Sequence, residues 1–495
     1  FFASTDKTKL DGVAAGATAN ATDAQLRDRS THTGTQAAAT ISDFTAAVRQ
    51  AAGFAVTSDF ATPELASAYA YANDLLIAAA AGEIVYLDCD PTSGDDLQAM
   101  LAFASRPHMV DPQCLRVRIA NGLHEVATYF DAYTGVYVCA TANPEYLTLT
   151  GIGITNLGGG IYEATVTTAA PLPDRVVVNY SIGISAANGD GGAESINGAH
   201  QVTWIAGDRL SFKFQYKSGG VVPTTPTTLT GTTLAGFTAN QVVIPFCCLR
   251  VEAGTVGGWD GTAREGFLNF VGNFHTIDGL GFSYNGADDE HDILWIREGG
   301  GYVYALRCVF AGSGDKIARS SHIGEYFFNY CLFGGGLTAD ECWQGLGGSK
   351  AFFQRCVMGS FSVGSITATV DCQVWLNYVI IASAPLGPKT TYPSGSITFG
   401  VVHISHCTTA ATASNGTIYV TSATTIKNCT NANATAGTGL CLGTPTDGGG
   451  NTNAWVASVV KKVLATASGT GAPGVIAAGA TWTGPAITIS GAALG

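Results

Sequence analysis

Seven short phrases between residues 277 and 429 share one form: Ile277-Asp278-Gly279-Leu280, Ala305-Leu306-Arg307-Cys308, Phe328-Asn329-Tyr330-Cys331, Phe353-Gln354-Arg355-Cys356, Leu376-Asn377-Tyr378-Val379, Ile404-Ser405-His406-Cys407 and Ile426-Lys427-Asn428-Cys429. Each is an aliphatic or aromatic residue, two variable positions, then Cys or another small apolar residue. The final residues are separated by 28, 23, 25, 23, 28 and 22 positions. A repeat of this length marks a solenoid. The units are β-branched, aromatic and Gly-rich and show no helical periodicity, so the predicted architecture is an all-β, right-handed parallel β-helix. Equivalent residues on successive turns then stack one strand spacing apart. This predicts an inward structural ladder of Cys308, Cys331, Cys356, Cys407 and Cys429. Stacked core cysteines behave as small hydrophobes and are expected to be free thiols. Cys247 and Cys248 are adjacent, so their side chains must leave opposite faces of one strand.

Composition supports the same class. Of 495 residues, 12% are charged and 63 are Gly, and good helix formers thin out after the first hundred. Net charge is −13 and no basic cluster exceeds Lys461-Lys462, which argues against a nucleic-acid partner because phosphates need a basic face. No run of eighteen apolar residues and no signal peptide is found, so no membrane insertion is expected. The chain opens Phe1-Phe2 without an initiator Met and is expected to be part of a longer polypeptide.

Five regions are expected. Residues 1–60 form a stalk in which Ile41, Phe44 and Val48 make an apolar stripe that needs partners. Residues 61–153 hold a helix at 63–81, a strand at 84–87, a helix at 95–104, and a strand–turn–strand over 115–126 centred on Asn121-Gly122. Residues 154–240 break the repeat and predict an inserted small β domain. The coil register resumes at Gln241 and runs through 241–433. Residues 434–495 are expected to hold a Gly/Thr-rich linker, a strand from Trp455 to Leu464, and the first strands of a C-terminal β domain.

The densest polar cluster is Asp288-Asp289-Glu290-His291-Asp292, followed by Trp295. Close carboxylates can hold a hard cation, share a proton or, when paired across a groove, hydrolyse a glycosidic bond. A solvated turn between rungs explains the same residues, and contiguous acids on an extended chain point to alternate sides. These five, with Trp295 and Trp343, are the candidate ligand-binding residues, Trp being a surface on which sugars stack. No catalytic residue, metal site or cofactor is assigned. Asp315, Glu325, Asp340, Glu341 and Asp371 fall singly. The central Phe residues, Phe327 and Phe352 among them, read as core or as subunit contact, while the exposed central Trp and Tyr stay open as sugar-binding surfaces. The histidines lack metal spacing, and no phosphate-loop, zinc-protease or nucleophile-elbow motif is present.

The phrases DKTKLDGVAAGATAN (6–20) and THTGTQAAATISDFTAAV (31–48) resemble segments of bacteriophage tail-fibre stalks. The order of elements after Pro63 resembles the entry of the pectate-lyase-like β-helices of phage tail fibres and tailspikes. The final GVIAAGATWTGPAITISGAALG resembles the opening strands of a fibre C-terminal domain. The resemblance implies a homotrimer on the distal tail of a virion, made in the host cytoplasm. It would join other tail-tip or hub proteins through its N-terminal side and bind a host surface glycan or receptor. Two alternatives stay open: a tailspike depolymerase, glycosidase or lyase, and a structural tail-tip connector.

Overall fold

The computed structural model describes residues 84–91, 97–104, 115–126, 130–133, 135–252, 266–272, 274–285, 292–298, 301–312, 316–320, 323–335, 337 and 341–458. The predicted stalk, the helix at 63–81 and the C-terminal strands lie outside them. Two compact units divide the chain, 1–85 with 108–115, and 86–107 with 116–495. The second contains nearly all the described residues and is a parallel β-helix carrying an antiparallel insert.

Each central rung is built from three strands. In one rung these are Tyr302–Leu306, Val309–Ala311 and Lys316–Ser320; in the next, Glu325–Asn329, Leu332–Gly334 and Glu341–Gly345. Side chains alternate in and out along a strand, so parallel in-register stacking turns each position into a file. One inward file runs Val303, Tyr326, Ala351, Val374, Ile397, Ile418 and Cys441. A second runs Ala305, Phe328, Phe353, Leu376 and Phe399. On the second strand, Phe282, Phe310 and Phe333 stack at 5.0 and 5.2 Å between ring centroids, above Met358, Ile381 and Ile404. These files are the core.

The corner between the first two strands explains the repeated phrase. Arg307, Tyr330, Arg355 and Tyr378 all adopt a left-handed backbone, with φ of 53°, 57°, 52° and 54°. That conformation swings the chain through the corner and turns the following residue inward. Cys308, Cys331, Cys356 and Val379 occupy that place in successive rungs. They are fully buried, and the cysteines are free.

The single ladder predicted through Cys407 and Cys429 is instead two stacks. Val379 lies opposite Val402, 23 residues on, and Cys407 comes five residues later. It follows the second corner, where Ser360, Ser383, His406 and Asn428 are left-handed. Register continuation sets Cys407 between Ala384 and Cys429. Both corners turn the following residue inward, and spacing alone does not say which corner a cysteine follows.

The helix Leu97–Ala104 sends Leu97 and Leu101 into this core. Strands Leu115–Ile119 and Gly122–Glu125 flank the expected turn but do not form an antiparallel hairpin. Each pairs in parallel with a strand of another rung, so Gly122, at φ 115°, marks a rung corner. Pairing also continues beyond 433: Leu440–Leu442 lies beside Thr417–Tyr419, and Thr446–Asp447 beside Thr425–Lys427. As apolar residues thin out there, side-chain amides take over, Asn453 Nδ2 donating to Asn431 Oδ1 at 2.6 Å. Residues 455–458 form no strand.

The insert is a seven-stranded antiparallel sheet with its own core of Tyr162, Tyr180, Phe212, Phe214 and Tyr216 among others. Its first strand is Glu145–Gly158, and Gln241–Ile244 pairs back onto it. The coil therefore resumes at Cys247, where Cys247–Glu252 joins Gly122–Glu125, and not at Gln241. Cys247 belongs to the helix core and Cys248 to the insert core, the opposite facing that adjacency requires.

The insert covers the outward side of the second strands. Val309, Leu332, Val357 and Ile380 form one apolar cluster with Ala186, Ala199 and Val243. Backbones come very close: a Cβ on Gly359 would lie 1.8 Å from Asn197 O, and one on Gly334 1.8 Å from Ala199 O. The outward file then continues to His403. His403 Nε2 donates to Glu194 Oε2 of the insert at 2.9 Å, and Lys427 Nζ to Glu194 Oε1 at 2.6 Å.

Candidate functional site

While the insert covers the second strands, the outward residues of the first strands are partly or largely exposed. Its central file is aromatic: Tyr304, Phe327, Phe352 and Trp375 are in register on four consecutive rungs. Ring centroids are 4.8, 4.7 and 4.5 Å apart, with interplanar angles of 12°, 2° and 2°. Such spacing is the rung spacing itself, so the rings stack along the helix axis with their edges to solvent. Thr398, Tyr419 and Leu442 follow in the same file.

Two polar files flank the rings. On one side run Tyr302, Glu325, Lys350, Gln373 and Ser396, with Lys350 Nζ donating to Glu325 Oε1 at 2.7 Å. On the other run Asn329, Gln354 and Asn377, Asn377 Nδ2 donating to Gln354 Oε1 at 3.2 Å. At the corner beyond, the Arg355 guanidinium lies 5.3 Å from the Tyr330 ring centre and 5.4 Å from that of Tyr378. An apolar strip bordered by amides matches the surface of a sugar chain, with C–H faces and hydroxyl rims.

Toward the N-terminal end of this face, a cleft of about 240 Å³ is lined by Tyr86, Arg116, Arg118, Tyr137, Asp278 and Arg307, among others. Its charges are mutually engaged. Arg307 Nε donates to Asp278 Oδ1 at 2.9 Å, Arg118 Nη2 to Asp88 Oδ2 at 2.8 Å, and Arg116 lies over the Tyr137 ring at 4.2 Å. Hydrogen bonding from Arg118 holds the Asp88 carboxyl below its ordinary range. Burial, with the nearby Asp278 charge, pushes the Tyr137 phenol up to about 12.

The residues singled out in the sequence are not brought together. Asp288, Asp289, Glu290 and His291 lie outside the described residues. Asp292 is buried in an ion pair, Arg319 Nε to Asp292 Oδ2 at 2.7 Å, so it is not the open carboxylate expected. Trp343 is fully buried and not a surface platform. Its file neighbour is Ala318, and its indole packs against Gly345, where a Cβ would lie 2.1 Å away. Small residues on two sides make a core slot for the indole. Trp295 is half-buried on the third strands, in register with Arg319 and away from the aromatic file.

Among the single acids, Glu325 pairs with Lys350, Glu341 is buried and accepts from the Thr367 hydroxyl, and Asp371 is exposed. Asp315 and Asp340 lie outside the described residues. Among the described residues no cluster of His, Cys, Asp or Glu could hold a metal ion.

Phe327 and Phe352, read from the sequence as core or subunit contact, are outward. Their signal was parity. If Phe328 and Phe353 face inward as anchors, then the residues just before them must face outward.

No protein-family model matches this sequence, and no curated protein does. Among solved structures it is similar to the Gp54 tailspike of Acinetobacter baumannii bacteriophage AP22 in complex with A. baumannii capsular saccharide. Identity is 9% and the TM-score 0.19, over 68% of this chain and 74% of that one.

Proposed function

We propose that this chain is an attachment protein of the phage tail-fibre or tailspike kind, which binds a host surface glycan along the outward face of its first strands. The observation that carries the reading is the aromatic file Tyr304–Phe327–Phe352–Trp375 beside the amide file Asn329–Gln354–Asn377. A rigid rod holds these side chains in place before any ligand arrives, so little ordering entropy is spent on binding. Trimerisation through the 1–60 stalk belongs to the proposal and would raise the effective concentration of weak sites. Sedimentation of a Phe44→Asp variant tests that part, with a lower mass expected.

Recognition is favoured over cleavage by the state of the acids. Glycoside hydrolysis needs two carboxylates held apart across the bond. On this face Glu325 is tied to Lys350 and Asp278 to Arg307. The deciding experiment incubates the purified protein with host surface polysaccharide and measures both retention and polymer size. Retention with unchanged size is expected, and Trp375→Ala should lose it while keeping the fold. Shortened polymer would establish a depolymerase instead. Absence of affinity in the unmodified protein would leave the connector role and overturn the attachment reading.

A further inference from the structure

The aromatic file is interrupted at one rung, and we propose that the interruption is the sugar subsite, taking one neutral pyranose ring between Trp375 and Tyr419. The inference rests on the glycan-attachment reading and says where on the face, and with what chemistry, the glycan is held.

Within the file the rings of Tyr304, Phe327, Phe352 and Trp375 cover one another, so the stacked faces are already occupied. Trp375 is the last of them. Its next neighbour is Thr398, and the one after is Tyr419, which is 46% exposed. Two rung spacings separate Trp375 from Tyr419, about 9.6 Å. A ring placed midway would lie about 4.8 Å from each wall, the separation at which the file's own rings stack.

The whole rung is cut back, not only the central position. Its outward residues are Ser396, Thr398 and Gly400, against Gln373, Trp375 and Asn377 on the rung before. The Asn377 amide leans over Gly400, where a Cβ would approach its Oδ1 to 2.7 Å. The result is a transverse groove with two aromatic walls, a hydroxyl-bearing floor and an amide at one end. A pyranose presents C–H groups above and below its ring and hydroxyls around its rim, and this groove meets each with its match. None of the outward residues at 373–377, 396–400 and 417–421 is charged, which selects a neutral sugar over a uronate or a sugar phosphate.

Thr398→Phe is the decisive variant, because it completes the file by adding a ring that stacks on Trp375. Binding of the whole protein to an array of immobilised bacterial surface oligosaccharides is measured with its thermal midpoint. Thr398→Phe should lose at least tenfold in affinity for the neutral oligosaccharides bound by the unmodified protein, with a midpoint unchanged or raised. Tyr419→Ala should lose a similar factor, and Trp204→Ala, which removes an exposed indole of the insert outside this face, should change affinity less than threefold. Unchanged binding by Thr398→Phe would overturn the subsite and leave attachment by the face standing. Preference for acidic oligosaccharides would overturn the neutral-sugar assignment. Binding of no oligosaccharide by the unmodified protein would overturn both readings.

Discussion

Replacing Glu194 by Gln should loosen the insert from the β-helix in a manner that depends on pH. Glu194 lies in a short 3-10 turn of the insert and is 2% exposed. Burial alone would raise its pKa, but hydrogen bonds and charge from His403 and then Lys427 outweigh it and hold the carboxyl at about 2, against an ordinary 4.5. A depression of this size corresponds to about 3 kcal/mol of stability, at roughly 1.4 kcal/mol per pKa unit. The folded state binds fewer protons at this carboxyl than the unfolded state. The contribution is therefore complete above the unfolded value near 4.5 and disappears as pH falls through about 2. Glu194→Gln keeps the shape and removes the charge. At neutral pH the variant should be less stable by roughly 3 kcal/mol, since breaking a buried ion pair leaves its partners uncompensated. Urea unfolding of both proteins from pH 7 to pH 2, followed by intrinsic fluorescence, measures the gap. The gap should shrink steadily as pH falls below 4.5. A gap constant across that range would mean that packing, not charge, carries the effect. No gap at pH 7 would mean that the clamp contributes nothing.

Two further outcomes are expected. Burial pushes the Cys308 and Cys331 thiols up, and that of Cys356 to about 12, so native protein should resist alkylation at these positions and react fully in denaturant; fast native labelling seen by mass spectrometry would contradict the stacked core. Gly359→Ala should cost at least about 1–3 kcal/mol, because its Cβ would meet the Asn197 carbonyl of the insert, and proteolysis should become faster within 145–244 than in the rungs.

The helix architecture was legible because stacking makes equivalent residues recur at a rung's length, and the Cys phrase recurs with it. The opposite facing of Cys247 and Cys248 was also legible, since alternation along a strand is local geometry. Most of the candidate site was not. The aromatic file spans residues 304 to 375 and its interruption reaches 419; which of these share a face depends on the exact register of each rung. The rungs have unequal lengths, so a period read from the sequence blurs register by several residues. That blur merged two cysteine stacks into one.

Burial of polar and aromatic side chains was decided at a larger scale still. Asp292 looked like part of an open acidic cluster, but Arg319 comes from the next rung and neutralises it in the interior. Trp343 looked like a surface indole, yet Ala318 and Gly345, small residues that no pattern marks as partners, leave it a core slot. Glu194 meets His403 and Lys427 across more than two hundred residues, only because the insert folds back over the second strands. Alternation, corners and repeat length are properties of neighbours along the chain, and the sequence by itself determines them. Burial, pairing and the gap at Thr398 are properties of neighbours in space, and rung register and the docking of the insert decide them.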